Sequence, residues 1–156
     1  MTDMYLSVSL EAKHDFDTGA VTRRLGIEPT QVRKLGTPMH PGHDALYKYS
    51  SWERDTAHIS ADDAGSLIAQ AAAMFQSRAT VMRELADEYG GKWAIVLDGY
   101  VHSGDAPTVL LPPDFVEFCA AIGAIFQYVI DISYDYTSKG GAARGTAEDR
   151  PDTHRG

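Results

Sequence analysis

Alternation of apolar and polar residues predicts several strands along this chain. Met4, Leu6, Val8, Leu10 and Ala12 alternate with polar residues, which is typical of a strand with one buried face. A second alternating run spans residues 92–102, and a turn-like Ser-Gly-Asp-Ala-Pro sequence predicts a hairpin to a return strand at 108–111. A last strand, with an apolar-aromatic face and a polar face, is predicted at 126–136. Shorter strands are predicted at 31–35 and 45–52.

Apolar residues spaced three and four apart predict a long amphipathic helix over residues 61–89, the segment around which the other elements pack. The apolar stripe is interrupted at 76–79, where we expect a kink or break. Shorter helices are predicted at 20–25, ending at Gly26, and after Pro112, where Phe115, Phe118, Cys119 and Ile122 form an inner face. Cys119 is therefore predicted to be a buried thiol.

These elements predict an α+β fold. We expect a two-layer sandwich in which about three helices cover one face of a mixed or mainly antiparallel sheet, with the order βαβ-βαβ-βαβ. Residues 1–136 are predicted to form a single domain. Residues 137–156 lack large apolar side chains and are predicted to be a flexible polar tail.

Composition narrows the class of protein. A formal net charge of −8 argues against binding to nucleic acid or to anionic membranes and suits a basic protein partner. We find no leader and no apolar run of membrane-spanning length, so we expect a cytoplasmic protein. Phosphate-binding glycine loops and hydrolase or zinc-protease signatures are absent from the sequence, which predicts no cofactor and favours a non-enzymatic role.

Two groups of residues are candidate ligand-binding or metal-binding sites. His40 and His43 have an H-x-x-H spacing in a Pro- and Gly-rich loop, which suits zinc only if further ligands join them; solvated loop histidines are the alternative. Arg33 and Lys34, with Arg23 and Arg24 nearby in sequence, form a basic cluster suited to a phosphate or carboxylate.

Aromatic and acidic residues on the predicted strands supply the remaining candidates. Tyr47, Tyr49 and Trp52 share one predicted strand and suit a binding interface, with ordinary sheet packing as the alternative for Trp52. Asp131 lies on the polar face of the last strand, together with Ser133 and Asp135. That face is either a polar patch near the first strand, suited to acid–base chemistry, or simply a solvated surface.

The run Leu-Gly-Ile-Glu-Pro-Thr at 25–30, followed by Arg33, Lys34 and Gly36, resembles a bacterial family called domain of unknown function 4279. The resemblance extends to Trp52, to the end of the long helix and to Asp131-Ile132, and covers roughly residues 4–135. It implies a small stand-alone domain with no established activity, and some members resemble candidate immunity proteins of toxin systems.

We therefore predict a non-enzymatic module that binds a protein partner or a second copy of itself. Two alternatives stay open: a small-ligand-binding domain with a pocket between sheet and helices, and a metal-assisted enzyme that uses His40, His43 and aspartates. Arg33, Lys34, Tyr47, Tyr49, Trp52 and Asp131 are the predicted partner- or ligand-binding residues.

Overall fold

The structure, a computed structural model, describes residues 2–102, 104 and 106–132. Its strands are β1 (Thr2–Ala12), β2 (Gln31–Arg33), β3 (Ser50–Asp55), β4 (Ile59–Ala61), β5 (Lys92–Val101) and β6 (Ile125–Ile132). Its α-helices are α1 (Thr18–Leu25), α2 (Gly65–Phe75), α3 (Ala79–Tyr89) and α4 (Pro113–Ala121), and a 3₁₀ turn at Gln76–Arg78 joins α2 to α3. The predicted tail, residues 137–156, and the candidates Ser133 and Asp135 lie outside the described residues.

The strands form one mixed sheet in the order β2-β3-β1-β5-β6. β1 is long enough to pair with two strands on the same side: its first residues pair with β4 and its second half with β3. All pairs are antiparallel except β5 with β6. The predicted class, α+β with a mixed sheet, is confirmed.

The hydrophobic core lies between the helices and one face of the sheet. Met4, Leu6, Val8 and Leu10 are at most 1% exposed and pack in one cluster with apolar side chains from the helices. Burying one such side chain stabilises the fold by about 1.5–3 kcal/mol. The alternation that predicted β1 therefore correctly identifies the buried face. Cys119 is buried in the same cluster, as predicted, and burial raises the pKa of its thiol.

The long helical segment is broken where the apolar stripe is interrupted. α2 ends at Phe75, and α3 begins at Ala79 after the 3₁₀ turn, which confirms the predicted break. The segment begins later than predicted, at Gly65, because Ile59–Ala61 pairs with β1 as β4. The Ala64 N–H, immediately before α2, donates to the Thr108 carbonyl at 3.0 Å. The residues before Gly65 are therefore hydrogen-bonded to distant segments and do not extend the helix.

The predicted hairpin to a return strand at 108–111 is wrong. Both sides of β5 are occupied, by β1 and by β6, so no place remains for the return strand. Thr108 instead makes an isolated bridge with Asp63 beside the start of α2.

The predicted order of three βαβ units is also not what the chain adopts, because β2, β3 and β4 follow one another without an intervening helix. The predicted strand at 45–52 is displaced: β3 begins at Ser50. The residues before it fold back on the loop after β2, with Gly36 and Tyr47 joined by a backbone hydrogen bond of 2.9 Å.

Candidate functional site

The face of the sheet opposite the helices carries the polar residues of every long strand; we call it the polar face. The registers place on it Gln31 and Arg33 of β2; Ser51, Glu53 and Asp55 of β3; Asp3, Tyr5, Ser7, Ser9 and Glu11 of β1; Lys92, Ala94, Val96, Asp98 and Tyr100 of β5; and Ile125, Gln127, Val129 and Asp131 of β6. Six of these side chains are carboxylates and two are cationic. The polar face is therefore strongly negative.

Asp55 is a partly buried carboxylate on this face. Burial, and then the charge of Glu53 on the same strand, raises its pKa, although a hydrogen bond from Ser7 opposes the shift. Its Oδ1 atom is buried and has no hydrogen-bond partner. A carboxylate in this state is stabilised by any cation that approaches it.

Tyr5 and His58 form an aromatic wall next to this acidic group. Their rings stack with centroids 4.3 Å apart. The pKa of Tyr5 is raised to about 12, first by burial and then by the negative charge of Asp98 and a hydrogen bond with it. The Tyr5 hydroxyl therefore stays protonated. Tyr5 and His58 line a depression of about 270 Å³ together with Asp98 and Asp131. Carboxylates beside aromatic rings are the surroundings that ammonium and guanidinium groups prefer.

Asp3 lies at the rim of the same depression. Its Oδ2 is 2.6 Å from Nε2 of His102, and this hydrogen bond is the main cause that lowers the pKa of Asp3. The ring of His102 also contacts Tyr100 edge-on, with centroids 4.6 Å apart. The hydrogen bond with His102 thus stabilises the ionised form of Asp3.

Arg33 lies at the opposite end of the polar face, paired with Glu53. Its Nη1 is 2.7 Å from Oε2 of Glu53, and the two side chains are only 20% and 15% exposed. Burial alone would lower the pKa of Arg33, but the hydrogen bond with and the charge of Glu53 outweigh burial and raise it. Tyr47 and Tyr49 lie beside this pair, with their rings edge-to-face at 6.0 Å. The structure therefore brings three of the predicted binding residues together.

The other predicted binding residues lie apart from this cluster. Lys34 is exposed and pairs with Asp15 at 3.7 Å. Trp52 is fully buried, and its indole contacts the rings of Phe75 and Trp93. This is the packing role that the sequence left open for Trp52. Asp131 lies in the depression with Tyr5, although β5 separates its strand from β1.

The arginines of the predicted basic cluster are also paired with carboxylates. Arg23 contacts Asp17 at 3.4 Å, and Arg24 bridges Glu84 and Glu88 on α3. The cluster thus does not form a single anion site, because each cation faces a different acidic partner.

His40 and His43 lie at the turn of the loop between β2 and β3. The His43 N–H donates to the His40 carbonyl at 3.2 Å, and the ring centroids are 5.8 Å apart. Within the described ranges, no group of three or more His, Cys, Asp or Glu side chains has the arrangement of a metal site.

Comparison with protein families identifies the chain. The family model described as domain of unknown function (DUF4279) matches residues 2–133. The chain belongs to this family. The match covers most of the chain and confirms the resemblance seen in the sequence. Searches of curated proteins and of solved structures returned no match.

In the described part of this DUF4279 domain, none of the helices has the length and hydropathy needed to cross a membrane.

Sequence reasoning missed Tyr5, Glu53, Asp55 and Asp98 of the polar face, and His58, which stacks on Tyr5. The alternation of the first strand placed Tyr5 on its polar side, but the strand predicted at 45–52 ended before Asp55. These residues meet only through the order β3-β1-β5, which strand periodicity does not determine. A signal was nevertheless present, since Tyr5, Asp55 and Asp98 are all large polar residues in or beside strand-like runs.

Proposed function

We propose that this DUF4279 domain is a non-enzymatic interaction module whose polar face binds a basic segment of a partner protein. The observation that carries the proposal is the excess of six carboxylates over two cations on this face, among them Asp55, whose pKa is raised by burial and by the charge of Glu53. A lysine or arginine from a partner would supply countercharge to this face.

The aromatic residues support the same partner chemistry. Tyr5 and His58 stand beside Asp98, so an incoming guanidinium would meet a carboxylate and an aromatic face together. The net charge of −8 adds long-range attraction for a basic protein and speeds its association. A toxin that binds nucleic acid carries such a basic surface because it must contact phosphates, which accords with the immunity role implied by the resemblance.

The proposal is tested by binding of a synthetic octalysine peptide and by capture of partners from lysate on immobilised protein. The double substitution Asp55→Asn/Asp98→Asn removes two charges from the polar face. The matched control, Asp87→Asn/Glu117→Gln, removes two charges from exposed helix positions. We expect the first variant to lose roughly thirtyfold or more in peptide affinity, since the two charge pairs each contribute on the order of 1 kcal/mol or more.

A partner captured by the wild type should be retained by the control and lost by the polar-face variant. Equal losses in both variants would mean that net charge alone is sensed and would overturn the proposal. Self-association detected by light scattering, without peptide binding, would count equally against it.

A further inference from the structure

A second site lies at the end of the sheet away from Asp55, in a cleft of about 740 Å³. Its lining includes Lys13, Lys48 and Lys92, together with His14, Tyr49 and Glu11; we call it the lysine cleft. These three lysines are three of the five in a chain whose net charge is −8. The charge that they bring to this cleft is therefore opposite in sign to the net charge of the chain.

The topology explains why residues so distant in sequence meet here. Lys13 follows the last residue of β1, Lys48 comes shortly before β3, and Lys92 is the first residue of β5. Because β3 and β5 both run antiparallel to β1, the end of β1 and the beginnings of β3 and β5 lie at one edge of the sheet. The three lysines thus lie at or next to the ends of the three central strands.

The pairing of the other cations distinguishes these lysines. Arg23, Arg24, Arg33, Arg83 and Lys34 each contact a carboxylate. The remaining described arginines, Arg54 and Arg78, donate to backbone carbonyls. Within the described ranges, no ion pair of 4 Å or less involves Lys13, Lys48 or Lys92. The described cations that lack a protein partner therefore all line one cleft.

The cleft holds more positive than negative groups. Glu11 is the cross-strand neighbour of Lys92 but does not reach it within 4 Å, and one carboxylate cannot offset three ammonium groups. Each of these lysines contributes a positive charge to the lining, so an anion that enters the cleft is attracted by all three. His14 and Gly90 form a further part of the cleft wall.

We propose that the lysine cleft binds a small organic phosphate with at least two negative charges, whose ring or apolar part packs against Tyr49. Lysine ammonium groups bind phosphate as point charges with freely oriented donors, and a half-buried tyrosine ring provides a flat surface for stacking. The size of the cleft is that of a small-molecule site. This inference goes beyond the proposed function and does not depend on Tyr5, Asp55 or Asp98.

Calorimetric titration of the full chain with ATP, tripolyphosphate and adenosine tests the inference. We expect adenosine to bind weakly, because the charges supply most of the affinity. ATP should bind more tightly than tripolyphosphate, because its ring also packs against Tyr49. Lys48→Gln should weaken ATP binding by roughly tenfold, as loss of one charge-assisted contact predicts. The matched control is Lys34→Gln, an exposed lysine outside the cleft, and it should leave ATP affinity unchanged.

Tyr49→Ala separates stacking from charge, since it should weaken binding of ATP but not of tripolyphosphate. Circular dichroism establishes that each variant is folded. The inference is overturned if no phosphate compound binds the wild type, or if Lys34→Gln and Lys48→Gln weaken binding equally. Variants Asp55→Asn and Asp98→Asn should retain ATP binding, so failure here is distinct from failure of the polar-face proposal.

Discussion

The Arg78 side chain is hydrogen-bonded to the end of α1 through Leu25. Its Nε donates to the Leu25 carbonyl oxygen at 2.6 Å, and its Nη1 donates to the Met74 carbonyl near the end of α2, also at 2.6 Å. Carbonyls in the last turn of a helix lack intrahelical partners, and a cation there also interacts favourably with the helix dipole. One residue of the 3₁₀ turn therefore fixes both the break between α2 and α3 and its position against α1.

Replacing Arg78 with methionine should destabilise the fold. The substitution preserves much of the apolar stem but leaves two partly buried carbonyls without their donor. We expect a loss of about 1.5–3 kcal/mol in the free energy of unfolding, the range for hydrogen bonds to a charged group. Urea unfolding followed by tryptophan fluorescence measures this free energy. The stability of Arg78→Lys, which keeps the charge, should lie between those of the wild type and Arg78→Met. A loss in Arg78→Met no larger than in Arg78→Lys would contradict this role.

A hydrogen bond between Trp52 and Thr22 supports a second prediction. The indole Nε1 donates to the Thr22 hydroxyl at 3.0 Å and connects the buried face of β3 to α1. Thr22→Val preserves the shape of the side chain but leaves this indole N–H unpaired, at a cost of about 1–3 kcal/mol. Thr22→Ser keeps the acceptor and should cost less. Thermal unfolding of both variants decides the point: the prediction fails if valine is tolerated as well as serine.

The sequence predicts those parts of the fold in which one element determines its own pattern. β1 alternates strictly, so its core face could be read directly, and the loss of the apolar stripe at Gln76–Arg78 marked the helix break. The partner of Arg78 could not be read, because Leu25 lies 53 residues away and contacts it only after α1 packs on α3.

β3 shows why other elements escaped prediction. Its sequence, Ser-Ser-Trp-Glu-Arg-Asp, is poor in apolar residues, because Trp52 is its only large hydrophobic side chain. Pairing with β1 and β2 on either side makes it a strand in spite of its composition. Strand preference depends on neighbours in this way far more than helix preference does. Glu53 and Asp55 of the candidate site lie on this strand, so their place on the polar face could not be predicted either.

The pH dependence of stability tests the electrostatics of the polar face. Asp55 has a raised pKa in the folded protein, and the reference value for an unperturbed aspartate is 3.8. The folded state therefore retains this proton to a higher pH than the unfolded chain does. It follows that ionised Asp55 lowers the stability above its folded pKa, whereas the penalty is absent below pH 3.8.

We therefore expect Asp55→Asn to raise the free energy of unfolding at pH 7, and this gain to shrink as the pH is lowered toward 3.8. Because the carboxylate is partly screened by solvent, the gain should stay below about 1 kcal/mol. Urea unfolding across this pH range measures it through the buried Trp52 and Trp93, with the exposed Glu117→Gln as the control. The prediction is contradicted if Asp55→Asn changes the free energy of unfolding at pH 4 and at pH 7 by the same amounts as the control does. Asp55 would then not carry one of the unfavourable charges on which partner binding is proposed to depend.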